Sequence, residues 1–525
     1  MGKFRQGTSL APFHGLREAG SPVPMSARPN ILVFVVDQLT GTLFRDGPAA
    51  FLHAPNLARL AERSARYANS YCPSPLCAPA RAAFMSGLLP SRTGVFDNAA
   101  EFPSAVPTWA HHLRRLGYKT NLSGKMHFVG PDQLHGFEVR TTTDVYPADF
   151  GWTPDWRNPH ERIDWWYHNL GSVTQAGTAE ITNQMEFDDE VAFHAVQSLH
   201  QWARRKDERP WALCASFTHP HDPFVARERF WDLYPDVAMP DGPTIPYEDQ
   251  DPHSRRLMEM SDHTQFRITD EDVLRSRRAY YANISYLDEK IGAILDTVGA
   301  CGFADDTAIV FMSDHGEMLG ERGLWFKMSF FEGSASVPLM VCAPGVEPGL
   351  VERPVSTLDL LPTLCEIADG EAPAGVDGTS LMASERGPVF VEYMAEGSVA
   401  PMVMVRDGDL KLVRCPADPD QMFDLAADAR ELENIAETSP ERDRLGALID
   451  AHVGEWSALD RAVRDSQSAR LLVYDALRNG AYYPWDHQPI QLASERYMRN
   501  HMDLNEVEAG NRYPPTGTPY RDNRT

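Results

Sequence analysis

Four short apolar runs each end in residues that bind metals or move protons, and this recurrence constrains the fold more than any other feature. "NILVFVV" (30–36) runs into Asp37 and Gln38, "YKTNLSG" (118–124) into Lys125 and His127, "WALCASFT" (211–218) into His219-Pro220-His221-Asp222, and "TAIVFMS" (307–313) into Asp314-His315-Gly316. "VPLMVCAP" (337–344) is a fifth run. Near-continuous apolar runs of this length suit strands buried on both faces. Between them lie helical patterns over 55–68, 105–117, 186–204, 271–299 and 357–369; in the first, Leu57, Leu60, Ala61 and Ser64 share one stripe. Strand and helix in alternation predict an α/β fold, a doubly wound, mostly parallel sheet covered by helices on both faces. A site in such a sheet lies beyond the carboxyl ends of the strands, where the polar endings would meet.

The texture changes after about residue 385. "VFVEYM" (389–394), "MVMVRDGDLKLVRC" (402–415) and "DQMFDLAAD" (420–428) alternate in polarity, with a turn signal at Asp407-Gly408. They predict a smaller antiparallel sheet, followed by helix over 440–479. The tail from 480 is rich in Tyr, Pro and Trp but has no periodic pattern, so it is expected to drape over its own domain or a neighbouring subunit. The expected organisation is a flexible leader (1–28, with Met25 a possible natural start), an α/β domain (29–385), the smaller sheet plus helices (386–479) and the tail (480–525).

The formal net charge is −25, which argues against a nucleic-acid partner and suits a cationic or neutral small substrate. Seven cysteines, an odd number scattered from Cys72 to Cys415, read as reduced thiols and not a disulfide framework. The N-terminal stretch lacks the apolar run of a signal peptide, and no segment approaches the length of a membrane span. A cytoplasmic location is expected, with no membrane partner.

"SYCPSPLCAPAR" (70–81) places two cysteines five positions apart. Cys72 reads as an ordinary free thiol. Cys77 opens the pattern Cys-x-Pro-x-Arg, which chance would give in roughly 4% of chains of this composition, so alone it is only suggestive. In context the chain resembles the sulfatase family over nearly its whole length. The resemblance is carried by Asp37, "CAPAR", "SGKMH" (123–127), "HPHDPF" (219–224), "SDHGEMLGERG" (313–323), Lys327 in "WFKMSFFEG" and "FDLAADARELENIAE" (423–437). "HFVGPDQLHGFE" (127–138), "DFGWTPDWRNPHERIDWWYHNLGSV" (149–173) and "NGAYYPWDHQPIQLASERYMRNHMDL" (479–504) look like the choline-sulfatase branch. In fold the family is similar to the alkaline phosphatase superfamily.

The resemblance implies that a converting enzyme oxidises Cys77 to Cα-formylglycine, and that choline O-sulfate is hydrolysed to choline and sulfate through a covalent sulfated intermediate. A thiolate would leave a sulfur-bound sulfate that is hard to release. An aldehyde hydrate avoids this, because its second hydroxyl can expel the sulfate. Arg81 would orient residue 77. A helix starting at Ala78 or Pro79 would favour an anion there. Asp37, Gln38, Asp314 and His315 would hold one divalent cation. The family usually carries Asp where Gln38 stands and often Asn where His315 stands. Oxygen ligands make calcium the first choice, and the imidazole makes manganese its rival.

Lys125, His127, His221 and Lys327 match the family's sulfate-binding and proton-transfer positions. His221, assisted by Lys327, would be the general acid, and His127 would deprotonate the hydroxyl during release. His219 reads as structural. Only seven lysines occur in the chain, so two within these motifs weigh against mere surface charge. A trimethylammonium group needs aromatic faces and a carboxylate. Trp152 is the cage candidate among five aromatics of one stretch, most of which suit a core equally well. Asn98, Asn169, Glu396 and Asp503 follow by resemblance alone. A tail shared between subunits would make the enzyme a homo-oligomer, a dimer or tetramer. The competing readings are a formylglycine-dependent phosphonate or phosphate monoester hydrolase, a broader alkyl or aryl sulfatase, and a non-catalytic binder of quaternary ammonium compounds with Cys77 left as a thiol.

Overall fold

The computed structural model describes residues 28–163, 168–204, 207, 209–368 and 370–479. The leader (but for Arg28) and the tail, with Asp503, lie outside the described residues, as do Trp165, Trp166 and Tyr167. Eight strands form the main sheet: β1 (Asn30–Asp37), β2 (Ala65–Tyr67), β3 (Lys119–Gly124), β4 (Val139–Arg140), β5 (Trp211–Pro220), β6 (Thr307–Ser313), β7 (Leu339–Cys342) and β8 (Gly349–Val351). Their order is β8-β2-β7-β6-β1-β5-β3-β4. β1 runs parallel to β5 and β6, and β3 runs parallel to β4 and β5. β7, the fifth apolar run, departs from this and lies antiparallel to β6 and β2. Every residue of β3, β5 and β6 is buried, so the sheet is covered on both faces as predicted.

The register explains why the polar endings meet. Val36 pairs with Ser313, Asp37 with Pro220 after a bulge, and Gly124 with Ser216. The residues that follow all emerge at one end of the sheet. Gly124 makes the close approach possible: its φ is +117°, and a Cβ there would lie 1.8 Å from the Ser216 carbonyl oxygen. Only glycine tolerates both conditions, and Lys125 leaves the sheet directly after it.

Helices α1 (Pro55–Glu62), α3 (Trp109–Arg115), α4 (Asn183–Arg204), α5 (Asp270–Ala300) and α6 (Leu360–Ile367) fall within or within three residues of the predicted patterns, and α2 (Cys77–Ser86) lies outside them, where only a helix start was expected. α5 opens with a capping box, Thr269 accepting from the Asp272 amide and Asp272 accepting from the Thr269 amide. α1 is shorter than the 55–68 pattern. Residues 65–67 are drawn into the sheet as β2, where Arg66 pairs with both Met340 and Leu350; tertiary pairing overrides the helical stripe. Among the described residues no helix is long and apolar enough to cross a membrane.

The predicted smaller sheet is an antiparallel meander of β9 (Val389–Tyr393), β10 (Met402–Asp407), β11 (Leu410–Cys415) and β12 (Asp418–Asp424). Alternation along β10 sends Val403 and Val405 against Leu445 and Ile449 of α7 (Arg442–Val453), and Met402 and Met404 into the main core. All seven cysteines are unpaired.

α8 (Trp456–Arg478) buries only Val463, Gln467 and Arg470, a single stripe at helical spacing. Val463 packs on Phe96, Trp156 and Met394, and Gln467 Oε1 accepts from the Trp156 amide at 3.1 Å. Arg470 clamps both Asp97 oxygens at 2.6 Å and donates to Thr153 Oγ1 at 3.2 Å. Removing one partner of a buried pair leaves the other charged and desolvated. Arg470→Met is therefore expected to lower unfolding stability by about 3–5 kcal/mol, read from the denaturant midpoint at unchanged slope.

Candidate active site

α2 begins at Cys77, one or two residues before the predicted start, and is buried throughout. Its N-cap, Leu76, offers no side-chain acceptor, so the free N–H groups of the first turn need other partners. Asn98 Oδ1 accepts from the Ala78 amide at 2.9 Å. Cys77 Sγ lies 3.1 Å from His315 Nε2, 3.5 Å from Lys125 Nζ and 3.9 Å from Asp37 Oδ1. Burial opposes ionisation of this thiol, but Lys125, Lys327 and His315 outweigh it and hold the thiol well below its usual range.

Asp37, Cys77, Asp314 and His315 offer ligand atoms all within 4.8 Å of one another, and all four are buried. Two cations compensate the carboxylates. Arg81 donates to Asp314 Oδ2 at 2.8 Å and lies 3.6 Å from Asp37, while Lys125 Nζ donates to Asp37 Oδ2. Burial would raise the Asp314 pKa, but Arg81 and His315 lower it. His315 Nδ1 faces the Gly316 carbonyl at 3.1 Å, an arrangement that places the ring proton there and leaves the Nε2 lone pair for the cluster. Two carboxylates, that nitrogen and residue 77 fit a divalent cation. Gln38 adjoins the cluster. Its amide nitrogen donates to Asp314 Oδ1, but its side chain belongs to a separate chain, accepting from Lys327 and donating to Glu317 and, at 3.2 Å, to Asp222.

The predicted anion-binding residues converge beside the cluster. Lys327 Nζ is 2.7 Å from His221 Nε2, and its loop is fixed by Phe326 N donating to Glu317 Oε1 at 2.5 Å and Met328 N to the Pro75 carbonyl at 3.1 Å. Burial opposes the Lys125 charge, and Asp37 and Cys77 more than restore it, so its pKa is raised. Both His127 ring nitrogens are buried without a geometric hydrogen-bond partner among the described residues. His219 is instead fixed to Asp188 at 2.6 Å, in keeping with a structural part.

Of the substrate-side residues, Trp152 lies 6.1 Å from the His127 ring, and Asn98 lies at the start of α2. Glu396 lines a small cavity with His168, Arg162, Leu257, Met260 and Met328. Asn169 Oδ1 accepts from the Gly171 amide at 2.6 Å, where it shapes the following turn. Three residues of the site escaped sequence reasoning. Tyr146 lies 5.5–5.8 Å from the rings of His127, Trp152 and His221; His168 packs at a tilt 5.3 Å from Phe326; Glu317 holds Gln38. Burial, then Lys327 and His221, keep the His168 imidazole neutral. Its signal was the aromatic stretch in which the tryptophans drew attention.

Residues 29–370 match the family described as sulfatase, 461–513 match the choline sulfatase enzyme C terminal, and 320–453 match the N-sulphoglucosamine sulphohydrolase C-terminal family. The chain is 61% identical over 507 residues to a choline-sulfatase of Rhizobium meliloti (strain 1021), covering 93% of this chain and 99% of that protein. It is 26% identical to an arylsulfatase of Clostridium perfringens (strain 13 / Type A), covering 83% and 96%. Among solved structures, the phosphonate monoester hydrolase of Agrobacterium radiobacter is similar in fold, with a TM-score of 0.64 at 23% identity over 84% of this chain and 96% of that one.

His127 holds a left-handed backbone, φ +51°, that has to be secured from outside. Asp144 does so, accepting from the Met126 and His127 amides at 3.1 and 2.8 Å and from Arg140 at 2.6 Å. Burial would raise its pKa, but Arg140 and His127 bring it down to about 2. A depressed carboxyl pKa stabilises the fold fully above the unfolded value near 4, and the contribution disappears as pH falls through the folded value. Asp144→Asn is thus expected to lose about 2 kcal/mol at pH 7, with the gap to wild type closing between pH 4 and pH 2 in urea unfolding. A gap that stays constant across that window would contradict this account.

Proposed function

The chain belongs to the sulfatase family, and from that premise we propose that this sulfuric ester hydrolase converts choline O-sulfate to choline and inorganic sulfate. The observation that carries the chemistry is the setting of Cys77, at the start of a buried helix between two carboxylates, an imidazole and Lys125. The 61% identity to a choline-sulfatase and the match of 461–513 to that enzyme's C-terminal family support the substrate.

In this reading Cys77 Sγ stands where the formylglycine oxygens would lie. Conversion of Cys77 would supply, as an aldehyde hydrate, one hydroxyl to attack sulfur and a second to release sulfate. Asp37, Gln38, Asp314 and His315, with residue 77, would hold a divalent cation, calcium first and manganese its rival, that would supply Lewis-acid polarisation of a sulfuryl oxygen. Arg81 positions residue 77 by fixing Asp314, the Lys125 carbonyl at 2.7 Å and Ser216 Oγ at 3.0 Å. Lys125 and Lys327 place two fixed ammonium groups around the sulfuryl group, where negative charge grows in the transition state. Choline leaves poorly as an alkoxide, so its oxygen takes a proton from the His221–Lys327 pair. His127, which interacts with the Cys77 side chain, accepts the proton in the release step. Trp152 offers an aromatic face to the trimethylammonium group, which has no N–H to donate.

Two measurements test the reading. The ratio kcat/KM is expected to be highest for choline O-sulfate among choline O-sulfate, phosphocholine and an aryl phosphonate; a preference for the phosphonate would replace it with the phosphonate hydrolase alternative. Mass spectrometry of the tryptic peptide 67–81, from a host with the converting enzyme, is expected to find an aldehyde in place of the Cys77 thiol. Cys77→Ala is expected to fold normally by circular dichroism and to lose turnover by at least about 10⁴-fold.

A further inference from the structure

Tyr146 stands amid the sulfuryl half of the site with no part yet assigned to it. Its ring faces the Lys125 ammonium, 4.1 Å from Nζ, and its hydroxyl lies 3.2 Å from His221 Nδ1 and 3.3 Å from Gln184 Nε2.

The direction of each contact can be fixed. Gln184 Nε2 also faces the Asp222 carbonyl at 2.8 Å, so the nitrogen end of that amide is turned this way and donates to Tyr146. Lys327 approaches His221 Nε2 at 2.7 Å, and an ammonium has protons only to give; Nε2 therefore accepts and the ring proton sits on Nδ1. That proton goes to the Asp222 carbonyl at 2.7 Å, with the Tyr146 oxygen alongside. Gln184 thus gives to the phenol oxygen, His221 Nδ1 has no lone pair with which to accept, and neither neighbour takes the phenol proton. Burial, together with Asp37 and Asp222, keeps the phenol well above its ordinary pKa, so the proton is retained. No acceptor for it is found among the described residues.

We propose that Tyr146 is a further catalytic residue whose hydroxyl donates a hydrogen bond to a sulfuryl oxygen of the bound ester. The inference rests on the sulfate-ester reading. The sulfuryl oxygen is preferred over the leaving oxygen on geometry. Tyr146 borders the Nδ1 edge of His221 and covers Lys125, which is 3.5 Å from Cys77 Sγ; the Nε2 edge and Lys327 face the other way. A donor placed there tightens as the sulfuryl oxygens gain charge.

Tyr146→Phe keeps the ring over Lys125 and removes only the hydroxyl. Its kcat is expected to fall about 10²-fold on both choline O-sulfate and 4-nitrophenyl sulfate, with KM within about threefold for each. Inhibition by orthovanadate, which can adopt a five-coordinate geometry like that of the transferring group, is expected to weaken by at least about tenfold. A kcat within about threefold of wild type on both esters would overturn the assignment. So would a loss confined to the choline ester, which would put the hydroxyl at the leaving oxygen. Lowered kcat with unchanged vanadate inhibition would reduce Tyr146 to a positioning role and overturn it equally. A wild-type enzyme active on the aryl ester but inert towards choline O-sulfate would defeat the substrate assignment alone, and Tyr146 would then be judged on the aryl ester and vanadate.

Discussion

Everything in this site depends on the mutual neutralisation of four buried charges, Asp37 and Asp314 against Arg81 and Lys125. None of the four side chains is exposed, and an isolated charge at such depth is penalised by several kcal/mol. Each carboxylate is tolerable only because a cation reaches it, and each cation only because a carboxylate does. The parallel register of β1, β3, β5 and β6 supplies the common edge from which Asp37, Lys125 and Asp314 emerge; α2 carries Arg81 into the middle. Compensation is nevertheless asymmetric around residue 77, where Lys327 adds to Lys125. That surplus favours an anion at the α2 terminus, which is what a sulfuryl group presents.

The backbone around the cluster is strained where function requires an abrupt change of direction. Gln38, His127, Phe326 and Met328 all have φ between +51° and +73° without being glycine, and each adjoins or is a residue of the site. Such conformations cost on the order of 1–3 kcal/mol apiece and persist only where neighbours impose them. The neighbours are identifiable. Tyr280 Oη donates to the Gln38 carbonyl at 2.6 Å, Asp144 holds His127, and Glu317 accepts from Phe326. These supports stand behind groups that face the substrate, and their chemistry is ordinary: a phenol and two carboxylates accepting or donating to main chain.

How far the sequence reveals this follows from range. Apolar runs ending in Asp, Lys and His were legible because a buried parallel strand writes its own pattern, and the residue after it inherits a position from the fold. Cys77, Arg81, His221 and Lys327 were legible because they sit in short motifs. The side-chain contact of Gln38 with Glu317, 279 positions away, was not legible, because no local pattern carries that information. His168 lay in a stretch so rich in aromatics that composition could not separate core from site, and Tyr146 lay just before it in no motif of its own. β2 was read as helix for a related reason: its partners Met340 and Leu350 come from more than 270 residues further on.

The two halves of the site are consequently built by different means. The catalytic half stands on strand ends, where ladder hydrogen bonds on both sides leave little freedom. The substrate half stands on loops, around 96–98 and 151–156, that have no ladder of their own. Their order comes from α8, whose only buried stripe meets Phe96, Asp97, Thr153 and Trp156. Asn98 and Trp152 each lie one residue from a group that Arg470 grips. The sheet positions the four-charge cluster and the C-terminal helix positions the loops that carry Asn98 and Trp152, so the two are held by separate contacts.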